Sequence, residues 1–236
     1  MRGCLATIAL LILVLGAAVW FLLPPLAGAV AQGALVAVGF DADTSTVTVE
    51  ADPPLRLLTL EADAVRIRAT NVVFRGVEAA SADITLGDVA LIDRSFGTLD
   101  GTLKGVRFQP SRGTELGVPL VRLVGTPDRV RATFDLPAAD AEALAAAAVR
   151  EAVGIAPSQI VLAAPDRVAL TVGGRTVNGR LAVSADGKLN LIGTPGTDLG
   201  SVALVSPGVE LPVRVESFRI VDGGLTLVVS LDPGLR

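Results

Sequence analysis

The sequence predicts an α+β protein, in which an N-terminal transmembrane helix is followed by a highly curved, mainly antiparallel β-sheet wrapped around one alanine-rich helix. Three observations favour this fold class. A continuous apolar run covers Cys4–Leu23, apolar and polar residues alternate with a period of two from about residue 42 onward, and a single later segment has a helical pattern.

The apolar run near the N-terminus is long enough to cross a membrane. Cys4–Leu23 comprises twenty largely apolar residues, and a helix of about 20 residues spans the hydrocarbon core of a bilayer. Trp20 and Phe21 stand where interfacial aromatic residues are common, and Pro24-Pro25 ends the helical pattern. Arg2 precedes the run, so the amino terminus is expected in the cytoplasm and the bulk of the chain on the extracytoplasmic side.

A cleaved secretory signal is the alternative interpretation of the same segment. Ala29-Val30-Ala31 before Gln32 has the small-x-small pattern that signal peptidase accepts, although the apolar run is longer than the usual 7–15 residues. We therefore expect residues 1–31 to form a membrane anchor or signal sequence with its linker, and residues 32–236 to form an extracytoplasmic β-rich domain. The chain is expected in the cell membrane as a single-pass protein, or secreted if cleavage occurs.

The remaining chain has the pattern of strands with one buried face. Val65, Ile67 and Ala69 alternate with polar residues, as do later runs, which favours an antiparallel meander of hairpins. The turn signals are Asp100-Gly101, Gly173-Gly174, Asp186-Gly187 and Asp222-Gly223-Gly224. The alternation changes phase at Gly87-Asp88, Lys104-Gly105 and Glu216-Ser217, which predicts either β-bulges that bend the sheet or turns between short strands.

One segment of this region has a helical pattern. Pro137–Val153 carries proline in its first turn and is followed by Gly154, as helix starts and ends often are. Its apolar face is mostly alanine. Such a face either leaves volume between the helix and a curved sheet, or allows the sheet to close directly onto the alanines.

The composition argues against most catalytic and nucleic-acid-binding functions. The chain has no histidine, a single cysteine at Cys4 and a net charge of −4. A Ser-His-Asp triad, a His-ligated metal site and an intramolecular disulfide are therefore excluded, and no basic patch indicates nucleic acid. Asp41-Ala42-Asp43-Thr44-Ser45 resembles a phosphotransferase motif only loosely, because the surrounding pattern is β rather than α/β. We expect no catalytic residues, no metal and no cofactor.

A concave aliphatic sheet closed by a thin helix would form a sleeve for acyl chains, because apolar pockets of this kind are the usual ligand sites. The candidate lining residues face inward in their own strand or lie on one face of the helix. They are Leu86, Leu103, Val106, Phe108, Phe134, Leu136, Leu144, Ala148, Val168, Leu170, Leu181 and Val183.

The order of these elements resembles the LmeA-like family of actinobacterial envelope proteins, formerly a domain of unknown function. The resemblance begins at about Leu60 and covers about three-quarters of the chain. It rests on three strings: DAVRIRATNVVFRGVEAASADITLGDVAL, RATFDLPAADAEALAAAA and LPVRVESFRIVDGGLTLVVSL. It implies phospholipid binding in a tubular lipid-binding type of fold, held on the outer face of the cell membrane.

The expected function is that of a membrane-anchored extracytoplasmic phospholipid-binding protein, a lipid carrier or sensor in envelope biogenesis. Its expected partners are a phospholipid, whose acyl chains occupy the sleeve, and the membrane, with no nucleic acid. The alternative is an anchored interaction module with a solid core, whose exposed edge strand recruits an envelope enzyme.

Overall fold

Two antiparallel sheets and the α-helix that follows the sixth strand form most of the described part of the chain. The computed structural model describes residues 28–29, 32–33, 40–74, 76–90, 93, 95–111, 114–195, 199–205 and 213–231. The predicted membrane segment Cys4–Leu23 lies outside these residues. The helix α1 covers Ala138–Val153. The strands are β1 (Asp41–Glu50), β2 (Glu61–Phe74), β3 (Val77–Ala90), β4 (Thr98–Ser111), β5 (Thr114–Thr126), β6 (Arg129–Leu136), β7 (Gln159–Ala163), β8 (Arg167–Val172), β9 (Arg175–Val183), β10 (Leu189–Gly193), β11 (Ser201–Val205), β12 (Val213–Val221) and β13 (Gly224–Leu231).

The larger sheet has eight strands in the order β1-β2-β3-β4-β5-β6-β13-β12, and the smaller has five in the order β11-β10-β9-β8-β7. Neighbouring strands pair antiparallel in both sheets. The chain leaves the large sheet after β6, forms α1 and the small sheet, and returns as the β12–β13 hairpin beside β6. The predicted antiparallel meander is confirmed, but the strands divide into two sheets where the sequence predicted one.

The helix predicted over Pro137–Val153 is confirmed, with its first helical residue one position later. Pro137 precedes the helix with φ −56° and ψ 156°, and Gly154 follows it with φ 79°. The Gly154 N–H donates to the Arg150 carbonyl at 2.9 Å, which satisfies a carbonyl of the last turn. A short 3-10 helix at Pro54–Thr59, which the periodicity did not predict, connects β1 to β2.

Three of the four predicted turns are present. Gly173-Gly174 connects β8 to β9, Asp186-Gly187 lies between β9 and β10, and Asp222-Gly223 connects β12 to β13. The prediction at Asp100-Gly101 is wrong, because both residues lie inside β4, paired with Thr85 and Ile84. A Cβ at Gly101 would lie 3.1 Å from the Ile84 side chain, so this glycine permits close strand contact and does not mark a turn.

Strands β2 to β5 of the large sheet keep their register where the alternation changes phase. The β2–β3, β3–β4 and β4–β5 pairings each skip one pair at the row of Asn71, Ala80, Gly105 and Pro119, and continue beyond it in the same register. Asn71 and Gly105 have φ of 48° and 59°. Because all four strands change phase at the same row, apolar side chains stay on one face of the sheet without any strand slipping past its neighbour.

The three predicted phase changes therefore have different structural origins. In β12 the register shifts between Val215 and Ser217, which confirms a bulge at Glu216. At Gly87-Asp88 and Lys104-Gly105 the register does not shift, and a single left-handed residue, Asp88 or Gly105, changes the phase. The bulge predicted at these two places is wrong because the neighbouring strands change phase at the same row.

The buried apolar side chains form two clusters. The main cluster contains side chains from both sheets and from α1, including Ala145, Leu170 and Leu227. The second cluster is smaller and lies around the 3-10 helix, where Leu57 packs with side chains of β1, β2 and β3. The described residues contain no buried polar or charged side chain.

Candidate functional site

The helix α1 lies between the two sheets and packs against both. It contacts β5 and β13 of the large sheet, and β7 and β11, which are the two edge strands of the small sheet. Its buried residues are Ala141, Leu144, Ala145 and Val149. We use the name apolar layer for the main cluster of buried side chains, which α1 shares with both sheets.

Eleven of the twelve predicted lining residues belong to the apolar layer or pack against it. Val106, Leu136, Leu144, Val168, Leu170 and Leu181 are buried within it. Leu103, Phe108, Phe134, Ala148 and Val183 are partly buried at its boundary. The twelfth, Leu86, packs against the second cluster near the 3-10 helix.

The register of the large sheet brings two of the predicted residues into one row. Leu103 of β4 and Phe134 of β6 both pair with Val121 of β5, and Phe134 also pairs with Leu227 of β13. Directly paired residues share a face of the sheet. These four side chains therefore form a continuous apolar row across strands β4, β5, β6 and β13, two of which contact α1.

The structure also adds residues to the layer that were not among the twelve. Leu189 and Leu191 of β10 are fully buried, as are Leu116 and Val118 of β5. Each pair alternates with less buried neighbours. The alternation of buried and exposed residues was therefore visible in the sequences of β5 and β10. Alternation alone does not identify which strands contribute to the layer around α1.

The apolar layer has no polar group with which to hold a polar ligand. Every side chain that is buried in the described part of the chain is apolar. A buried charged or hydrogen-bonding ligand would lose its contacts with water and find no side-chain partner there.

Two open clefts lie on the surface. One, of about 370 Å³, is on the polar face of β1–β4 and is lined by hydroxyls such as Thr44 and Thr70 and by the cations Arg68 and Lys104. The other, of about 520 Å³, lies beside the start of α1, between Pro137 and the β12–β13 turn. Of the twelve predicted residues, only Leu136 lines either cleft.

The charged side chains of the large sheet pair with one another on its surface. Arg66 donates to both carboxylate oxygens of Asp83, at 3.0 and 2.8 Å, and Arg68 approaches the same carboxylate at 3.4 Å. The hydrogen bonds from Arg66 hold the pKa of Asp83 below its ordinary value. These ion pairs connect β2 to β3 on the exposed face of the sheet.

The described residues contain no group of three or more histidine, cysteine, aspartate or glutamate side chains that could hold a metal ion. Asp41 and Asp43, the acidic residues of the loosely matching phosphotransferase string, lie in the edge strand β1, where Asn71 donates to Asp43 at 2.7 Å. Among the described helices, none is both long and apolar enough to span a membrane.

Comparison of the chain with protein-family models, curated proteins and solved structures finds no match in any of the three. The resemblance to the LmeA-like family therefore stays a prediction.

Proposed function

We propose that this chain is a membrane-anchored, extracytoplasmic phospholipid-binding protein whose bound acyl chains lie in the apolar layer around α1. The observation that carries the proposal is the chemistry of this layer, in which the buried side chains of the described residues are all apolar. Transfer of an acyl chain from water into such a layer is favourable by about 0.8 kcal/mol for each buried methylene.

The position of α1 supports an acyl-chain site beside its alanine face. The helix contacts both edge strands of the small sheet and two strands of the large sheet, as expected if curved sheets wrap around it. Ala148 is partly buried at the boundary of the layer, together with Phe134 and Leu103. An acyl chain would enter at this boundary, and its polar head group would stay in water.

The N-terminal sequence supports the membrane attachment. Cys4–Leu23 has the length and composition of a transmembrane helix, and Gly3–Phe40 contains no charged residue. An extracytoplasmic domain held next to the bilayer would exchange lipid with it directly, which suits a carrier or a sensor of phospholipid.

A phospholipid with a photoreactive diazirine at the end of one acyl chain tests the proposal. The full-length protein is reconstituted into vesicles that contain this lipid, illuminated and digested, and the labelled peptides are identified by mass spectrometry. We expect adducts on peptides of the apolar layer, with the Ala148→Trp variant losing most of them because the indole occupies the space of the acyl chain.

Ala143→Trp is the matched control, because Ala143 lies on the exposed side of the same helix. The photoreactive lipid should label this variant as strongly as the unmodified protein. Circular dichroism should show that both variants are folded. If a folded Ala148→Trp variant labels the apolar layer as strongly as the Ala143→Trp variant, then acyl chains do not bind beside Ala148.

An anchored interaction module is the second candidate, and the dense packing around α1 favours it. Ala145 and Val149 have no exposed surface, and none of the buried residues of α1 lines either cleft. In that case the edge strand β1 would pair with a strand of an envelope enzyme. The photoreactive lipid would then label no peptide of the apolar layer in any variant.

A further inference from the structure

The 3-10 helix between β1 and β2 presents exposed leucines at one end of the large sheet. Leu55, Leu58 and Leu60 have 57%, 61% and 42% of their surface exposed. Pro54 and Leu57 of the same segment are buried, and Leu57 packs into the second cluster. We use the name leucine turn for residues 54–60, which place three large apolar side chains in solvent next to one another.

The leucine turn is held in one conformation by its neighbours. Arg56 donates to the Asp63 carboxylate and lies 3.6 Å from Glu61, and the Asp52 N–H donates to Asp63 at 2.6 Å. The N–H of Leu60 donates to the Leu57 carbonyl at 3.1 Å. Because the turn is already ordered, burying its leucines against a partner would cost little conformational entropy.

The described residues before β1 lie along this strand, and the earlier of them are nearer to the leucine turn. The Gln32 side chain donates to the Ser45 hydroxyl at 2.8 Å. A Cβ on Gly28 would lie 2.7 Å from the Val47 carbonyl oxygen, so the Gly28 backbone lies directly against β1. Followed back from residue 32 to residue 28, the chain thus advances along β1 toward Glu50, after which the leucine turn begins.

The apolar run precedes this point closely in the sequence. Only the four residues 24–27 separate Leu23, the last residue of the run, from Gly28. The described residues closest to the run, Gly28 and Gln32, therefore lead back along β1 toward the leucine turn. If Cys4–Leu23 crosses a bilayer, the side of the domain with the leucine turn is the one nearest to the membrane surface.

We propose that the leucine turn inserts into the interface of the same bilayer that the N-terminal segment crosses. This inference rests on the membrane attachment in the proposed function and adds an orientation to it: the strands of the large sheet stand on the membrane by their leucine-turn end. An anchored helix alone leaves the domain free to rotate, whereas a second apolar contact holds its orientation.

The charges around the turn indicate which lipid surface fits it. Glu50, Asp52, Glu61 and Asp63 flank the leucines, and Arg56 is already paired with the last two. An excess of acidic side chains is not attracted to anionic lipid head groups. The contact is therefore apolar, and we expect it in zwitterionic phosphatidylcholine vesicles and at high salt concentration alike.

Depth-dependent fluorescence quenching tests the inference. The sole cysteine of the chain is first removed by Cys4→Ser. Leu58→Cys is then introduced and its thiol is labelled with an environment-sensitive dye. The full-length labelled protein is reconstituted into phosphatidylcholine vesicles. Interfacial apolar groups reach about 5–10 Å into the head-group and acyl boundary, so lipids spin-labelled near the head group should reduce the emission at least about twofold.

Val73→Cys is the matched control. Val73 is 44% exposed and lies on β2, the strand that begins directly after the leucine turn. It is twelve residues beyond Glu61, which corresponds to about 40 Å of strand. Its dye should be quenched little, and the contrast with the Leu58→Cys dye should persist at high salt concentration.

The outcomes separate this inference from the proposed function. Retention of the protein in carbonate-washed vesicles with equal quenching at both positions would overturn the inference and leave the anchor intact. Release of the protein by carbonate would overturn both the anchor and the orientation.

Two further outcomes would also contradict lipid insertion. In both, the dye at residue 58 is shielded from water but is not quenched by spin-labelled lipid. If the shielding does not change when the protein is diluted in the vesicles, the chain itself covers the turn. If the shielding decreases on dilution, a second copy of the chain covers it.

Discussion

Glu216 occupies the bulge of β12 and connects strands that are not neighbours. Its carboxylate accepts hydrogen bonds from Arg129 at 2.6 Å and from Arg131 at 2.8 Å, both on β6, with β13 lying between the two strands. The hydrogen bonds, first from Arg129 and then from Arg131, lower the pKa of Glu216 below its ordinary value of 4.5.

The lowered pKa predicts how Glu216 contributes to stability. In acid the unfolded chain takes up a proton on this residue at a higher pH than the folded chain does, so the contribution is complete well above pH 4.5 and is lost as the pH falls through the lower, folded-state pKa. We expect Glu216→Gln to lower the free energy of unfolding by about 1 kcal/mol at neutral pH. Urea unfolding at several pH values measures the difference, which should shrink in acid.

Glu142→Gln is the control for this prediction. Glu142 is exposed on α1 and takes part in none of the ion pairs found in the described residues. Its substitution should leave stability and pH dependence nearly unchanged. Equal losses for the two variants, or a loss for Glu216→Gln that stays constant into acid, would show that the bridge to β6 is not the cause.

At the scale of the strands, a row of irregular positions interrupts the pairing of the large sheet without shifting its register. Gly105 of β4 has φ 59° and lies opposite Ala80 of β3, whose Cβ would be 3.0 Å from a Cβ at position 105. An L-residue pays about 1–2 kcal/mol for this left-handed conformation, and the contact adds to that cost. We expect Gly105→Ala to destabilise the protein by about 2 kcal/mol in denaturant unfolding.

Gly117→Ala is the control that shows whether the loss of stability is specific to residue 105. Gly117 lies in the adjacent strand β5, is not among the glycines with positive φ, and has no heavy atom within 4 Å of the added Cβ. Its substitution should be neutral or slightly stabilising, because alanine restricts the unfolded chain. If both alanine variants are equally stable, the left-handed conformation at residue 105 carries no strain for an L-residue.

At the scale of the whole molecule, the helix α1 joins the two sheets into one core. Val149 is fully buried between strands of both sheets, whereas Val153, one turn later, is 40% exposed. Val149→Ala should lower the free energy of unfolding by about 2 kcal/mol, because it leaves a cavity in close-packed surroundings. Hydrogen exchange followed by mass spectrometry should show faster exchange in β5 and β13 and also in β7 and β11.

Val153→Ala is the same substitution at the exposed end of the helix, so its effect should stay within about 0.5 kcal/mol. Faster exchange confined to the small sheet in the Val149→Ala variant would show that the two sheets unfold separately. In that case the apolar layer would not act as a single cooperative core.

Much of the architecture could be predicted because it follows from local patterns. Period-two alternation depends only on which residues of a strand can be buried, so it predicted an antiparallel β-rich chain. The proline before α1 and Gly154 after it mark the helix ends for equally local reasons. Eleven of the twelve candidate residues lie in or against one apolar layer, and that they bind an acyl chain stays a prediction.

The remaining features depend on which strands lie next to one another. Alternation in β7–β11 does not reveal that these strands pair only among themselves, so the division into two sheets was not predictable. Leu86 pairs with Val65 of β2 and packs against the second cluster, which also contains Leu57 of the 3-10 helix, and the sequence contains no periodic signal for that contact.

By itself, the sequence determined the strand pattern, the α-helix at Ala138–Val153 and the apolar character of the layer, since each depends on residues close in the chain. Only the tertiary structure decided that four strands change phase at one row, that α1 touches both sheets, and that the described residues before β1 lead back along this strand toward the leucine turn. These features depend on contacts between residues far apart in the chain, whose energies no local pattern records.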